Sequence, residues 1–459
     1  MMPSSGGFNR TIKIGIGLGD IIIYHLSFIV SFYLRYGERP IFNYSAYQNA
    51  LPYIVVAFLL INIFSGIYVL YNKKIIDMFS VTLITQVMMS VIIMAMTFFG
   101  RWFAFPRTII GINLVVSTVM LLIWRYIILE VYIRTSGTSR VMILGNKLDC
   151  KEAVLNFKSS GTRQYTVKAV AFDHYFENLK NNIDQIDVCY LLEMENLEEE
   201  HEILTYLTLK NKRIFLGTDF RSILQTNNRI MNIDDESIIA VAKFEISPEN
   251  DTIKRLMDIV ISLIMLLLTA PIMLVTAILI KLTSKGPILY KQVRVTKNQK
   301  EFEIYKFRSM RIDAEDLSGP VLAQAKDPRI TPIGNYLRSL RIDELPQLIN
   351  VLKGDMSLIG PRPERPYFVD QFQEVNPHYY LRHNVRAGIT GNAQVYGKYS
   401  TGFNNKLKFD LLYIKNYSLM MDLQILFQTV KILFDKVSSQ GLDDEMTTEE
   451  AFKDIKVFQ

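Results

Sequence analysis

The sequence contains only two cysteines, Cys150 and Cys189, among 459 residues. Neither belongs to a Cys-x-x-Cys motif or to a Cys/His cluster, which excludes a disulfide scaffold and a structural zinc site. An excess of one charge sign is also missing, since the formal net charge is +6, and this excludes a histone-like or strongly acidic chain. With 49% hydrophobic residues, the bulk composition resembles that of an ordinary globular protein. The class of protein must therefore be inferred from where the apolar residues lie.

Charge is nearly absent from four apolar stretches in the first third of the chain, where Asp20 is the one charged residue. The stretches are Ile14–Leu34, Leu51–Asn72, Met78–Gly100 and Thr108–Trp124. Each approaches the ~20 residues that cross a hydrocarbon core of ~30 Å. Residues 1–137 are therefore predicted to form a four-helix transmembrane region. Cations after the fourth stretch predict that the N-terminus and the following region are cytoplasmic; they are Arg125, Arg134, Arg140 and Lys147.

Short β-rich segments alternate with polar helical ones in residues 138–251, which is typical of a Rossmann-like α/β domain. The predicted strands are Arg140–Leu144, Thr166–Phe172, Ile186–Leu192, Arg213–Gly217 and Ile238–Phe244. A dinucleotide fingerprint requires several glycines after the first strand, and Gly145 stands there alone. This favours a structural or oligomerising role over nucleotide binding, and a homodimer is one expectation.

A fifth apolar run, Ile259–Ile280, contains Pro271 and is flanked by cations at both ends. Cations at both ends favour a re-entrant helix over 256–282 that breaks at Pro271 and returns to the cytoplasmic face, with a spanning helix as the alternative. The run belongs to a predicted catalytic domain, residues 252–441, which is mixed, mainly α and membrane-associated. Residues 442–459 form an acidic C-terminal tail, for which a helix and a frayed end both stay open.

Basic residues are concentrated between Lys281 and Arg311, where nine cations stand against two acidic residues. Anionic lipid headgroups would attract such a surface. The alternation over 302–308 also predicts a strand with Lys306 and Arg308 on one face, suited to phosphate. No nucleic-acid partner is expected, because the basic run adjoins a membrane segment and contains no nucleic-acid-binding module.

An acidic pair, Asp343 and Glu344, precedes a short helix that Pro346 and Gly354 are predicted to frame. The pair could simply cap that helix. Alternatively, a phosphoryl group bound there would face the helix amides together with Arg338 and Arg341. Further along, residues 360–364 read Gly-Pro-Arg-Pro-Glu, a rigid turn that could present Arg362 to a phosphate at reduced entropic cost.

Together these motifs resemble the bacterial sugar transferase family, the polyprenyl-phosphate hexose-1-phosphate transferases that are also called monotopic phosphoglycosyl transferases. The matching pieces occur in order and are Lys254 and Arg255 with Asp258, the apolar run that contains Pro271, Gly286–Pro287, Lys306–Met310, Asp327–Arg329, Asp343–Gln347, Gly354–Ser357, Gly360–Glu364, Gly388–Gly391, Asp410 and Asp422. The four preceding apolar stretches and the α/β region are similar to the long members of that family, so the resemblance extends over nearly the whole chain.

The resemblance implies transfer of a sugar 1-phosphate from a UDP-sugar to undecaprenyl phosphate, with release of UMP, as the first membrane step of extracellular polysaccharide synthesis. Asp343 would be the nucleophile, and Asp343 and Glu344 would hold Mg²⁺. The implied phosphate-binding or substrate-binding residues are Lys306, Arg308, Arg329, Arg338, Arg362, Asp410 and Asp422. The resemblance also implies a multi-pass protein of the cytoplasmic membrane with its catalytic domain in the cytoplasm. The identity of the sugar stays open.

Two other functions can be weighed against this one. An NAD-dependent nucleotide-sugar dehydratase would need the missing glycines near Gly145 and a Tyr-xxx-Lys motif, which the middle region lacks. A lipid flippase or non-catalytic scaffold would commonly have more than five apolar segments, and it would leave Asp343 and Glu344 without a role.

Overall fold

The computed structural model describes residues 10–68, 75–102, 104–160, 164–194, 196–311, 329–397, 401–434, 452 and 455–458. The chain forms two compact units, Met1–Gly217 with Asp444–Gln459, and Thr218–Asp443. The first unit contains long apolar helices and a parallel sheet, and the second contains the residues predicted to carry out chemistry.

Four long apolar helices form the N-terminal part of the first unit, as the sequence predicts. They are α1 (Arg10–Tyr36), α2 (Ile41–Phe64), α3 (Ile75–Phe99) and α4 (Arg107–Ser136). Each is long and apolar enough to cross a membrane, and the protein buries only 33–44% of the most apolar window of each. The exposed apolar remainder suits lipid contact. The prediction of a membrane protein with an N-terminal helical bundle is confirmed.

A polar cluster joins all four helices inside this bundle. The Arg125 guanidinium of α4 pairs with Asp20 of α1 at 2.7 Å, and both side chains are at most 3% exposed. The same guanidinium donates to the Asn62 amide oxygen of α2 at 2.7 Å and to the Thr82 hydroxyl of α3 at 2.8 Å. Charged groups in an apolar interior are tolerated when they are paired in this way. Arg125 is thus an interior residue, and its use as a flanking cation in the orientation prediction is wrong.

A five-stranded parallel sheet forms the rest of the first unit, in the order β11-β2-β1-β3-β4. Parallel strands need crossover connections, and three helices provide them. The strands are β1 (Ser139–Leu144), β2 (Tyr165–Ala171), β3 (Val188–Leu191), β4 (Arg213–Leu216) and β11 (Lys456–Phe458). The helices are α5 (Lys147–Ser159), α6 (Tyr175–Asn182) and α7 (Leu197–Leu209). The predicted α/β alternation is confirmed, while the Rossmann-like topology and its role stay predictions.

Two segments differ from the sequence-based expectation. The strand expected at Ile238–Phe244 is not part of the sheet, because β6 (Glu236–Ala240) pairs with β5 (Arg229–Ile233) as an antiparallel hairpin of the second unit. At the other end, β11 pairs with β2. A helix and a frayed end are therefore both wrong for residues 456–458, and most of the predicted tail at 442–459 lies outside the described residues.

The second unit is mainly helical, as predicted, and is built around an apolar core that includes Val351, Met356 and Ile359. Its helices are α8 (Phe220–Leu224), α9 (Pro248–Thr283), α10 (Pro332–Ser339), α11 (Gln347–Lys353), α12 (Pro366–Val375), α13 (Asn392–Tyr396), α14 (Phe403–Lys415) and α15 (Leu419–Phe434). Besides β5 and β6, its strands are β7 (Leu289–Val295), β8 (Glu301–Phe307), β9 (Met356–Ile359) and β10 (Ala387–Thr390). The pair β7/β8 is antiparallel and the pair β9/β10 is parallel.

Helix α9 contains the fifth apolar run. It begins earlier than the predicted 256–282, with Ser247 as N-cap, and it continues through Pro271 as one helix. The expected break into two helices is therefore absent, although proline removes one intrahelical hydrogen bond and commonly kinks a helix. The protein buries only 11% of the most apolar window of α9, so nearly all of this surface is available to lipid.

Candidate active site

The acidic pair lies in a 3-10 turn, Ile342–Glu344, between α10 and α11. The turn follows Arg341, whose backbone is left-handed at φ 55°. Helix α11 begins after Pro346 and ends at Gly354, also left-handed at φ 94°, as the sequence predicts. No side chain in the described part of the chain caps α11. The interpretation of Asp343 and Glu344 as caps of this helix is therefore wrong, and both carboxylates are available for another role.

Glu344 is surrounded by cations from three segments of the chain. Its Oε1 accepts hydrogen bonds from Lys306 Nζ at 3.0 Å and from Arg362 Nη2 at 3.2 Å, and Arg341 lies 3.7 Å from Oε2. Burial alone would raise the pKa of Glu344, but the charges of Lys306, Arg362 and Arg341 hold that pKa well below its usual range. Glu344 is thus an ionised carboxylate that fixes Lys306 and Arg362 side by side.

Asp343 is almost as buried but differently placed, with 7% exposure. Within the described residues it forms no ion pair, in contrast to Glu344. Burial, and then the neighbouring Glu344 charge, raise the pKa of Asp343, while Lys306, Arg338 and Arg341 oppose that rise. A carboxylate that has cations nearby but is not itself clamped by one has lone pairs free to react.

The Gly-Pro-Arg-Pro-Glu turn is held from behind by a second arginine. Arg382 donates from Nη2 to the Arg362 carbonyl oxygen at 3.0 Å. Its guanidinium is fixed by Asp410 at 2.8 Å and by the Tyr379 hydroxyl at 2.6 Å. Asp410 is 1% exposed, so it lies behind the turn rather than in the pocket. Its contacts are those of a residue that positions Arg362.

The glycines of the 388–391 segment let that segment pack against the turn. A Cβ atom at Gly388 would collide with the Gly360 backbone nitrogen, and a Cβ atom at Gly391 would collide with the Gly360 carbonyl oxygen. Gly388 donates its backbone N–H to the Pro361 carbonyl oxygen at 2.9 Å, and Gly360 donates to Thr390 at 2.9 Å. These contacts are those of a tight connection between the 388–391 segment and the turn.

The other predicted phosphate-binding arginines form no ion pair with Glu344 among the described residues. Arg338 donates to the Ser309 hydroxyl at 2.9 Å, and its charge lowers the pKa of Asp343. Arg308 donates to the Ser284 and Lys285 carbonyl oxygens, both at 2.9 Å. Arg308 follows the last residue of β8, and its N–H donates to the Ile288 carbonyl oxygen in the register of the β7/β8 pair. Its predicted shared face with Lys306 stays a prediction.

Arg329 and Asp422 are the remaining predicted site residues. The Arg329 carbonyl oxygen accepts the Arg311 N–H at 3.0 Å, while Asp327 and Pro328 lie outside the described residues. Asp422 is fully buried and accepts from Lys254 Nζ and from the Tyr413 hydroxyl, both at 2.7 Å. It joins α9 to α15, and the described residues show no contact between it and the acidic pair. Its assigned role in substrate binding stays a prediction.

The sequence does not single out two residues that line a pocket at this site. The pocket beside Glu344, Lys306 and Arg362 is also lined by Arg294 and Gln347. Arg294 is one of many cations in its segment, and Gln347 follows the acidic pair as an ordinary polar residue. The one available signal was the alternation of side chains along β7, which places Arg294 and Lys291 on opposite faces of the strand.

Comparison with known proteins places this site in a family. The profile described as bacterial sugar transferase matches residues 249–436. A UDP-N-acetylgalactosamine-undecaprenyl-phosphate N-acetylgalactosaminephosphotransferase of Aeromonas hydrophila is 50% identical over 190 residues, which are 41% of this chain and 45% of that protein. A UDP-glucose:undecaprenyl-phosphate glucose-1-phosphate transferase of Klebsiella pneumoniae is 39% identical over 214 residues, 46% of this chain and 45% of that protein.

A shorter relative is matched almost completely. Exopolysaccharide production protein PSS of Rhizobium leguminosarum bv. phaseoli is 45% identical over 186 residues, which are 39% of this chain and 93% of that protein. The matches to the Aeromonas and Klebsiella proteins thus span slightly less than half of their length, whereas the PSS match is nearly end to end. On this evidence the chain belongs to the bacterial sugar transferase family.

Proposed function

We propose that the protein transfers a sugar 1-phosphate from a UDP-sugar to undecaprenyl phosphate and releases UMP. The observation that carries this proposal is the buried, unclamped Asp343 beside a carboxylate that holds Lys306 and Arg362 together. The names of the Aeromonas and Klebsiella relatives support the same reaction. The test is UMP release by the purified full-length protein with undecaprenyl phosphate, Mg²⁺ and a panel of UDP-sugars. Absence of release with every sugar contradicts the proposal.

The proposed reaction proceeds in two displacements. In the first, an Asp343 carboxylate oxygen attacks the sugar-bearing β-phosphorus of the donor, and the bond from that phosphorus to the bridging oxygen breaks. UMP leaves with the bridging oxygen and the electron pair. In the second, a phosphate oxygen of undecaprenyl phosphate attacks the same phosphorus and releases the Asp343 carboxylate. A covalent intermediate divides one difficult displacement into two easier ones.

Neighbouring side chains stabilise the charge that develops. Lys306 and Arg362 are held about one hydrogen-bond length from the same Glu344 oxygen, so their charges are fixed before substrate arrives. Fixed cations stabilise the spread charge of a phosphoryl-transfer transition state without costly rearrangement. Arg382 and Asp410 act through Arg362, because they hold the backbone of its turn.

The acidic pair suits Mg²⁺, although the described residues contain no group of three or more His, Cys, Asp or Glu side chains that could hold a metal. Mg²⁺ commonly takes one or two carboxylates from the protein and its other ligands from substrate phosphates and water. The two carboxylates are close enough for Glu344 to raise the pKa of Asp343, and a divalent cation would relieve that repulsion. Held by Asp343 and Glu344, Mg²⁺ would neutralise charge on the donor diphosphate.

The activity should depend on pH through Asp343. Only the ionised carboxylate attacks, and its pKa is raised above the ordinary value, so kcat/KM should fall as the pH drops through this raised pKa. Arg338 lowers the pKa of Asp343. Arg338→Gln should therefore move the acid limb of the kcat/KM profile to higher pH. Lys353→Gln, which removes an exposed cation of α11, should leave the limb in place, and an unshifted limb in Arg338→Gln would contradict this assignment.

We further propose that α9, although one continuous helix, is re-entrant through a bend at Pro271, and that the catalytic unit lies on the cytoplasmic face of the cell membrane. Lys254 and Asp258, near the start of α9, contact α15 and β9. Ile280, near its end, packs against Phe307 and Leu337 of the same unit. A spanning helix would separate its ends by ~30 Å of hydrocarbon, whereas both ends here pack on one folded unit.

Cysteines introduced at Glu249 and Lys300, on either side of α9, test this proposal. Both should resist impermeant thiol reagents in intact cells, and labelling of one alone would contradict re-entry.

The pathway is a proposal of the same kind. The Rhizobium relative is named an exopolysaccharide production protein, and a lipid-linked sugar diphosphate is the product expected at the start of such an assembly. We infer that the protein performs the first membrane step of extracellular polysaccharide repeat-unit synthesis.

A further inference from the structure

We propose that Arg294 and Gln347 form a phosphate-binding subsite in the wall of the pocket beside Glu344. The inference rests on the proposed function and deepens it, because it names side chains that hold a substrate phosphate next to Lys306 and Arg362. The pocket brings together residues from β7, β8, α11 and the turn at 360–364.

Gln347 is the first indication of a ligand. Its side chain is 3% exposed, and its Nε2 has no hydrogen-bond partner among the described residues. A buried donor without an acceptor lowers the free energy of unfolding, because the hydrogen bond that it makes to water in the unfolded chain is not replaced. Because Gln347 lines the same pocket as Lys306 and Arg362, an acceptor placed in that pocket would remove this cost.

Arg294 is the second indication. Its Nη1 donates to the Pro363 carbonyl oxygen at 3.2 Å and lies 3.6 Å from Glu364 Oε2. Its Nη2 donates to Gln292 Oε1 at 2.6 Å. These contacts fix the guanidinium plane, while the buried Nε has no partner in the described part of the chain. A fixed guanidinium with an unused donor is prepared for an oxyanion at little entropic cost.

The charges around Arg294 also favour an anionic ligand. Burial, and the neighbouring charges of Arg362 and Arg365, lower the pKa of Arg294 to about 10, against an opposing effect of Glu364. Arg294 still carries its charge at neutral pH, and its charged neighbours are one carboxylate, Glu364, and two guanidinium groups, Arg362 and Arg365. A bound anion between Arg294 and Arg362 would reduce the repulsion between these two cations.

The ligand class follows from the donors. Arg294, Gln347, Lys306 and Arg362 all present N–H groups to one pocket, which suits the oxygens of a phosphate. Two substrates of the proposed reaction carry such a group: the nucleotide side of the UDP-sugar and the head of undecaprenyl phosphate. The subsite chemistry is the same for both, and binding experiments separate them.

The test uses the full-length protein in detergent with Mg²⁺ and two variants of Gln347. Gln347→Leu removes the donor, and Gln347→Glu replaces it with a negative charge of similar size. The Kd of radiolabelled UMP is measured without turnover, and the KM of undecaprenyl phosphate is measured with saturating UDP-sugar. Loss of a hydrogen bond to a charged group should raise either the UMP Kd or the undecaprenyl phosphate KM about tenfold or more in Gln347→Leu. The same constant should rise further in Gln347→Glu.

Thermal unfolding distinguishes a subsite from a structural role. Since Nε2 has no partner among the described residues, Gln347→Leu should unfold at a temperature no lower than the wild type, although its binding is weaker. Arg294→Lys keeps a charge and should weaken binding less than Arg294→Met. Lys291→Gln is the matched control, because it removes an exposed cation from the opposite face of β7, and it should change neither constant more than about twofold.

The outcomes separate the two proposals. A raised UMP Kd assigns the subsite to the nucleotide phosphate, and a raised undecaprenyl phosphate KM with unchanged UMP binding assigns it to the lipid phosphate. A wild type that releases UMP while both Gln347 variants match it in both constants overturns the subsite alone. A wild type that releases no UMP from any UDP-sugar contradicts the proposed function, and direct binding of UMP and of undecaprenyl phosphate to the same variants then decides the subsite.

Discussion

Asp343→Asn is expected to lower UMP release by at least about 10³-fold, which corresponds to about 4 kcal/mol of transition-state stabilisation. The amide that replaces the carboxylate cannot form the covalent phospho-sugar intermediate. Binding should survive, because the substitution removes a negative charge from a pocket that receives phosphate. The measurement is UMP release at saturating UDP-sugar and undecaprenyl phosphate, together with the UMP Kd of the variant.

A matched control exists on the same unit. Asp370 is an exposed carboxylate of α12, and Asp370→Asn should retain wild-type turnover. If Asp343→Asn kept full turnover, Asp343 would not be the nucleophile. If it lost UMP binding together with turnover, the loss would indicate a damaged pocket rather than missing chemistry.

Breaking the polar cluster of the helical bundle should have the second large effect. Arg125→Met leaves Asp20 buried without its cation, and Asp20→Leu leaves Arg125 without its anion. Removal of one partner from a buried ion pair commonly costs 3–5 kcal/mol, because the remaining charge is uncompensated. Each single variant should lose about this much free energy of unfolding in mixed-micelle denaturant titrations. The Arg125→Met and Asp20→Leu double variant should lose clearly less than the sum of the two.

The exposed pair Arg134–Glu130 supplies the comparison for that cluster. Its side chains are 77% and 31% exposed, so Arg134→Met should cost less than about 1 kcal/mol. Additive losses in the double variant would show that Asp20 and Arg125 are not energetically coupled. The expected coupling would instead mark the pair as a determinant of how the four helices pack.

Features that depend on local pattern were predictable from the sequence. Long apolar runs predict α1 to α4, because a membrane span needs about 20 apolar residues. Pro346 and Gly354 frame α11 because each fixes or permits a backbone conformation at a helix end. The clustering of Asp343 and Glu344 with Lys306 and Arg362 followed from the family resemblance rather than from spacing.

Features that depend on distant partners were not predictable in this way. Arg125 looked like a flanking cation because its partner Asp20 lies 105 residues earlier in the chain. The role of Asp410 depends on Arg382, 28 residues away, and on a carbonyl oxygen of a third segment. The strand β11 pairs with β2 across most of the chain. A single sequence carries local propensity and periodicity, and neither specifies which distant groups meet.

The covalent intermediate on Asp343 is the central claim, and one measurement tests it most directly. The full-length protein is incubated with Mg²⁺ and a UDP-sugar that supports turnover, in the absence of undecaprenyl phosphate. UMP is then quantified, and the quenched protein is examined by peptide mass spectrometry. Release of about one UMP per active site, with a sugar-phosphate mass added to the peptide that contains Asp343, is the predicted result. Turnover with acceptor but neither a UMP burst nor an adduct in its absence would contradict it and indicate direct transfer.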